Sequence, residues 1–361
     1  MATTVNHEEW MQLALDEAHR GSGWVSPNPR VGCVIVRDNE LVAKGHHQRF
    51  GDVHAEVDAL RAFSGDASTA TMYVTLEPCA HDGKQPACTN AIIASGIKRV
   101  VVGTVDPNPL VSGRGIQILE EHGIDVIRGV RENECQWMNR WFSHHITSGT
   151  SYVTLKAATS IDLGASVQQG HDRWISSEES RVVTHVLRSE YDAVMVGIGT
   201  VLADDPLLNV RLSEGRDPLR IVVDPNCETP PTSKLAATAK EIRSVIFCGH
   251  HSVESEQAMI LRGLGFEIIG TAGTTSHLDV ATIIRTTGTM GIASILLEGG
   301  PTLAASFLNA GCVRELILHI APAFLGVENT WFKHITPMDI TLRSCTSVGP
   351  DVHIVYTVTR S

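Results

Sequence analysis

Residues 53–58 read VHAEVD and residues 77–88 read EPCAHDGKQPAC. Between them they offer His54, Glu56, Cys79 and Cys88, and the reading of this set decides the fold of the first part of the chain. Zinc favours Cys sulfur and His nitrogen. A catalytic zinc site supplies three protein ligands and leaves the fourth position open. His54, Cys79 and Cys88 make such a set, with Glu56 beside it as general acid/base. His54 and Cys79 each fall at or just before a predicted helix start, where the positive end of the helix dipole favours a thiolate. Taken singly, either half is more often structural, because Cys is among the most buried residue types and His-x-Glu recurs by chance.

The surrounding pattern is that of an α/β protein. Periodicity predicts a helix over 7–20 that Gly21 stops. VGCVIV (31–36) and ELVAKGHH (40–47) read as a hairpin turning at Asp38-Asn39. Helix signals follow at 54–63, a strand at 71–76, a helix at 88–95, a strand at 99–103, a helix near 114–122 and a short strand at 124–127. This αββαβαβ order implies a sheet covered by helices. Residues 131–148 read as one helix leaving the first domain. A new strand starts at SYVTLKAATS (151–160), so the boundary is expected near 147–151, giving domains 1–148 and 149–361. In the second half, strands are expected at 152–158, 192–197, 219–223, 243–248, 266–270, 292–297, 313–320 and 352–358. The last two have no helix between them, which fits an antiparallel edge on an otherwise parallel sheet.

Bulk properties exclude several classes. The 361 residues exceed one ordinary core, so two domains are expected. The net charge of −11 argues against a nucleic-acid partner. A small anionic substrate in a locally basic pocket stays compatible with it. No apolar run approaches the ~20 residues of a membrane helix, and the N-terminus has no signal-peptide core. A cytoplasmic protein with no membrane partner is expected. The eight cysteines are scattered, which argues against a disulfide framework.

H-A-E followed by P-C approaches the H-x-E … P-C-x-x-C signature of zinc deaminases acting on nucleobases, but eight residues separate the two cysteines here in place of two. SPNPRVGCVIV (26–36), GHHQRFGDVHAEVDAL (45–60), the run from Tyr73 to Pro109 and GRGIQILEEHGIDV (113–126) closely resemble the bifunctional riboflavin-biosynthesis deaminase/reductases. In that family the long spacer, with a His and a basic residue inside it, is the usual form. The resemblance implies a cytidine-deaminase-like three-layer α/β/α domain with His54, Cys79 and Cys88 as zinc ligands and Glu56 as proton shuttle. The reaction implied is hydrolytic loss of an exocyclic amino group from a pyrimidinone carrying a ribosylamino 5-phosphate. Asn28, His47, His81 and Lys84 match positions that line the substrate pocket. From the residues alone, Asn28 in PNP is as readily a turn residue, His47 is by default solvated, and His81 and Lys84 sit in a solvated loop.

The second half has no G-x-G-x-x-G after a strand; GIGTVL (197–202) and GRGIQI (113–118) keep only two glycines. SILLEGGPTLAASFLNAG (294–311) is the better signal. A strand runs into Gly299-Gly300, Pro301 opens a helix, and bare amides at such a start suit an anion. As a motif alone it is more often an ordinary strand-to-helix turn. LKAATSIDLGA (155–165), RWISSEESR (173–181), VGIGTVLADDPLLNVR (196–211) and LEGGPTLA (297–304) extend the resemblance. They imply a dihydrofolate-reductase-like α/β domain that uses NADPH to reduce the ribosyl group to a ribityl chain. Carried over by position, Ala158, Trp174, Thr200, Asp204, Gly300, Pro301, Thr302, Leu303, Ala304, Ala305 and Ser306 would contact the cofactor. Asp172, Arg188, Leu208, Arg211 and Glu298 would contact substrate, the arginines offering paired donors. Lys156 would orient or protonate the opening sugar; by itself it reads equally as an exposed edge lysine. The chain departs from the family at Leu163, where Ser-Leu-Asp-Gly is common and Gly164 comes one place late, and at Arg173, where Gln is common.

Two other readings compete. One is a nucleic-acid base deaminase with a C-terminal targeting domain, disfavoured by the acidic balance. The other is a structural zinc module, for which His81 is the only nearby fourth ligand. Cytosolic enzymes of this kind are often symmetric assemblies, and a homo-oligomer is expected.

Overall fold

Met11, Ala14, Leu15 and Ala18 recur at three- and four-residue spacing, which places them on one face of helix α1 (His7–His19), and all four are buried. They meet Val34 and Val36 of β1 (Gly32–Arg37) and Tyr73 of β3 (Thr71–Leu76). The approach is close: a Cβ on Gly32 would lie 2.0 Å from the Ala14 carbonyl oxygen. The computed structural model describes residues 6–81, 86–165, 174–333 and 335–359, and the chain divides into two units, Met1–Gly149 and Thr150–Ser361.

In the first unit, β1 turns back into β2 (Glu40–His46) through Asp38 and Asn39, both at positive φ. That is the two-residue hairpin turn these residue types favour. The chain continues through α2 (Ala55–Ala62), β3, α3 (Cys88–Ser95), β4 (Arg99–Thr104), α4 (Arg114–Glu121), β5 (Asp125–Arg128), α5 (Glu132–Met138) and α6 (Arg140–Ser148). The sheet order is β2-β1-β3-β4-β5, with β1 antiparallel to both neighbours and β3, β4 and β5 parallel. Side chains alternate across it. Val34, Tyr73 and Val101 face α1 and α5, while Ile35, Met72, Val74 and Val102 face α2, α3 and α4. This is the three-layer arrangement expected. The single helix expected over 131–148 is instead two. Asn139 breaks it, because its side-chain oxygen accepts the Arg30 N–H (2.8 Å) and its amide donates to the Arg30 carbonyl (2.9 Å).

The second unit runs β6 (Tyr152–Ser160), α7 (Glu178–Glu190), β7 (Ala193–Gly197), α8 (Ile198–Asp204), β8 (Leu219–Val223), α9 (Lys234–Ala237) and β9 (Ser244–Gly249). It continues α10 (Glu256–Leu264), β10 (Phe266–Thr271), α11 (Val280–Thr289), β11 (Ser294–Leu297), α12 (Pro301–Asn309), β12 (Val313–Ala321), β13 (Asp339–Val348) and β14 (Asp351–Thr359). The sheet order is β10-β9-β8-β7-β11-β6-β12-β14-β13, parallel up to β12 and antiparallel after it. One core lies between the sheet and α11 and α12, through Ile283, Phe307 and Leu308. The other lies beneath α9 and α10, through Leu235 and Leu261. The antiparallel edge was expected, but not strand β13. Its residues are almost all exposed, so no buried face marks it in the sequence.

Candidate active sites

In the first unit, the strand-to-helix turns of the sheet bring the zinc-type residues together. His54 is the residue preceding α2, Cys79 follows β3, and Cys88 opens α3. His54 Nδ1 lies 3.2 Å from Cys88 Sγ and 3.5 Å from Cys79 Sγ, and all three donor atoms fall within 4.8 Å of one another. The Cys88 N–H also points at Cys79 Sγ (3.2 Å). Ligands around one zinc ion stand roughly 3.5–3.8 Å apart, so donor type and spacing both suit zinc. Hydrogen bonds from Cys88 and His54 lower Cys79 to about 4, against the effect of burial. The same contact with Cys79, together with burial, raises Cys88. The set is thus electrostatically ready to hold a thiolate.

Glu56, in the first turn of α2, is 3% exposed, and burial together with Cys79 raises it to about 7. A carboxyl poised near neutrality suits proton transfer in both directions. His47 is buried, not solvated as its default reading supposed. Its Nδ1 bonds the Val53 carbonyl (3.0 Å) and its Nε2 meets the Asn28 amide (3.1 Å). Donation to a carbonyl at one nitrogen leaves the other to accept from Asn28, so the ring is neutral, and burial also lowers its pKa. His47 and His54 meet edge to face at 5.5 Å. His81 is exposed and lies outside the metal-type group, and Lys84 lies outside the described residues.

Sequence reasoning passed over Glu77. Its buried carboxylate accepts from the N–H groups of Asp106 (3.0 Å), Gly113 (2.9 Å), Gly115 (2.8 Å) and Ile116 (3.3 Å), tying the start of α4 to the residue two before Cys79. A Cβ on Gly115 would come 2.0 Å from the Pro78 carbonyl oxygen. The acidic residue before Pro-Cys was the available signal.

In the second unit, a cavity of about 890 Å³ collects the remaining candidates. Lys156, Ala158, Trp174, Thr200, Asp204, Arg188, Leu208, Arg211 and Glu298 line it, with Gly300, Pro301, Thr302, Leu303 and Ser306. Ala304 faces the core instead, Ala305 does not line the cavity, and Asp172 and Arg173 lie outside the described residues. Gly300 caps α12 with Pro301 as its first residue, so the amides of that helix open on the cavity. Glu298 and Arg188 form a two-bonded pair (2.7 and 2.9 Å). Burial would raise the Glu298 carboxyl, but Arg188, helped by Lys156, holds it below the usual range. Lys156 is not an edge residue. It sits on β6, between β11 and β12, 9% exposed, and burial lowers its pKa against the pull of Glu298.

Residues 151–354 match the family model of the RibD C-terminal domain, and residues 4–104 match that of the cytidine and deoxycytidylate deaminase zinc-binding region. The riboflavin biosynthesis protein RibD of Actinobacillus pleuropneumoniae is 38% identical across 98% of this chain and 96% of its own length. The chain belongs to the RibD family. The Escherichia coli RibD is likewise 38% identical over 96% of this chain and 99% of its own. Two solved structures superpose with a TM-score of 0.85 over 98% of this chain and 99% of theirs. They are Acinetobacter baumannii RibD, 33% identical, and the Thermotoga maritima diaminohydroxyphosphoribosylaminopyrimidine deaminase/5-amino-6-(5-phosphoribosylamino)uracil reductase, 32% identical. As a RibD protein, the chain is a bifunctional enzyme of riboflavin biosynthesis, a zinc-dependent deaminase and an NADPH-dependent reductase of small molecules. The nucleic-acid-targeting alternative is not favoured. Among the described residues no helix is long and apolar enough to cross a membrane.

Proposed function

We propose that residues 1–148 deaminate 2,5-diamino-6-ribosylamino-4(3H)-pyrimidinone 5′-phosphate and that residues 149–361 reduce the ribosyl group of the product to a ribityl chain. The reading rests foremost on the convergence of His54, Cys79 and Cys88 within 4.8 Å beside a buried Glu56. The activities named for the Thermotoga relative support the choice of substrate.

His54, Cys79 and Cys88 would hold the zinc, which when bound supplies the Lewis acidity that makes water nucleophilic near neutral pH. The Glu56 carboxylate carries the two protons of the attacking water in turn, the first to the ring nitrogen and the second to the amino group, which departs as ammonia. Asn28 and His47 line the pocket for the pyrimidine, His81 and Lys84 approach the substrate, and Lys84 meets its phosphate. In the reductase, Ala158, Trp174, Thr200 and Asp204, with Gly300, Pro301, Thr302, Leu303 and Ser306 at the start of α12, hold NADPH, which supplies the hydride. Asp172, Arg188, Leu208, Arg211 and Glu298 hold the sugar phosphate, and Lys156 Nζ gives a proton to the sugar oxygen as the ring opens. We further assign the enzyme to the cytoplasm, as a homo-oligomer.

The test is Glu56→Gln. Purified wild-type protein carries about one zinc per chain and releases ammonia from the diaminopyrimidinone phosphate. The variant keeps its zinc, loses ammonia release by ~10²-fold or more, and still oxidises NADPH on pre-deaminated substrate. Ammonia release at the normal rate would remove Glu56 from the mechanism.

A further inference from the structure

The reductase cavity contains a buried histidine that the roles above leave unused. His185 lies on α7, is 3% exposed and borders the cavity. Its Nδ1 accepts the backbone N–H of Arg211 at 3.1 Å. An accepting Nδ1 carries no proton, so the ring is neutral with its hydrogen on Nε2. One turn later on the same helix, Arg188 donates to the Asn209 carbonyl at 3.3 Å. α7 thus grips the segment 208–211 at two backbone atoms. The segment needs that grip, because Leu208 is held at φ +52, a conformation that residues with a Cβ rarely adopt. Arg188 has its charge matched by the two-bonded Glu298, and the Arg211 guanidinium donates to the Asn209 side-chain oxygen at 3.1 Å within the gripped segment.

We propose that His185 is a positioning residue of the reductase: as a neutral imidazole it fixes the Arg211 main chain and so sets where the Arg211 guanidinium meets the phosphate of the substrate. The charged groups facing it are Arg188 on its own helix, Arg211 on the gripped segment and Glu298 after β11. Burial, then Arg188 and Arg211, lower His185 to about 4, so the accepting form persists across the working pH range. An asparagine, whose Oδ1 stands where the imidazole Nδ1 stands, offers the Arg211 N–H an oxygen acceptor; an alanine offers none.

The inference rests on the assignment of Arg211 to substrate, and the experiment separates the two. Reductase kinetics on deaminated substrate, inhibition by ribose 5-phosphate and NADPH affinity by fluorescence quenching are measured for His185→Ala, His185→Asn and Arg211→Ala. His185→Ala raises KM and the inhibition constant of ribose 5-phosphate together by about 10-fold, with kcat within about threefold and NADPH affinity unchanged. His185→Asn restores both to within about threefold of wild type. An asparagine variant as impaired as alanine, an unchanged KM in the alanine variant, or a parallel loss of NADPH affinity each overturns the role of His185. If Arg211→Ala leaves KM and inhibition unchanged, the assignment of Arg211 fails, and the role of His185 fails with it.

Discussion

Leu163 stands in the turn after β6 at φ +60, the left-handed region that favours glycine. Its N–H bonds the Ser160 carbonyl (3.0 Å) and its own carbonyl accepts from Trp331 (2.8 Å). Asp162 beside it accepts from Leu325 and Gly326. The turn is imposed by a segment far along the chain, and Leu163 bears the strain. Left-handed backbone costs an L residue about 1–2 kcal/mol, of which glycine gives back part through its greater freedom when unfolded. Leu163→Gly is therefore expected to stabilise by roughly 0.5–1 kcal/mol, read as a higher urea midpoint at unchanged slope. Leu163→Ala keeps its Cβ and gains nothing; equal midpoints for the two variants would refute strain. Asp38 and Asn39, also at positive φ, were legible in advance because their residue types announce the turn. Leu163 could be marked only as a departure. The burial of His47 was hidden for a similar reason, since Asn28 and Val53 create it only once the chain is folded. His185 and Glu77 act through backbone N–H groups, which leave no pattern in residue types.

At the scale of elements, α7 meets β14 through polar side chains. His319 and His353, opposite each other across β12 and β14, stack at 3.5 Å with planes 3° apart. Ser180 of α7 donates to Asp351 (2.5 Å) and meets His353 Nε2 (2.7 Å), while neither ring nitrogen of His319 has a partner among the described residues. Burial, Lys156 and His353 lower His319 to about 2, and burial with Arg188 and Arg211 lowers His185 of α7 to about 4. An unfolded histidine titrates near 6.5. Between the folded and unfolded values the unfolded chain binds more protons, so stability falls as pH drops. The contribution is complete above about 6.5. It is lost down to about 4 for His185 and toward about 2 for His319. His319→Phe keeps a stacking ring and removes one titration. Its urea-unfolding free energy should fall less steeply than wild type from pH 6 to pH 5, by about 1.4 kcal/mol per unit. Equal slopes would show that His319 is not held neutral. Apolar periodicity made most of these elements legible, but β13 has no buried face, and the break between α5 and α6 depends on Asn139 reaching Arg30.

For the whole molecule, the described apolar clusters keep to their own units, two in Met1–Gly149 and two in Thr150–Ser361. The family matches divide the same way, 4–104 and 151–354. Each cofactor should therefore stabilise one unit and leave the other alone. A ligand that binds only the folded form, at a hundredfold excess over its Kd, adds about 2.7 kcal/mol, worth roughly 5–10 °C for a unit of this size. Metal ligands bind zinc in their deprotonated forms, so its removal also lets Cys88, whose thiol is raised by its contact with Cys79 and by burial, take up a proton. Calorimetry of the full chain should show two transitions. A zinc chelator should lower one and abolish ammonia release, while leaving NADPH oxidation on pre-deaminated substrate intact. NADPH should raise the other transition only. If the chelator lowered both transitions equally, the two units would share their stability, and separate cores would not describe how this chain holds its two activities.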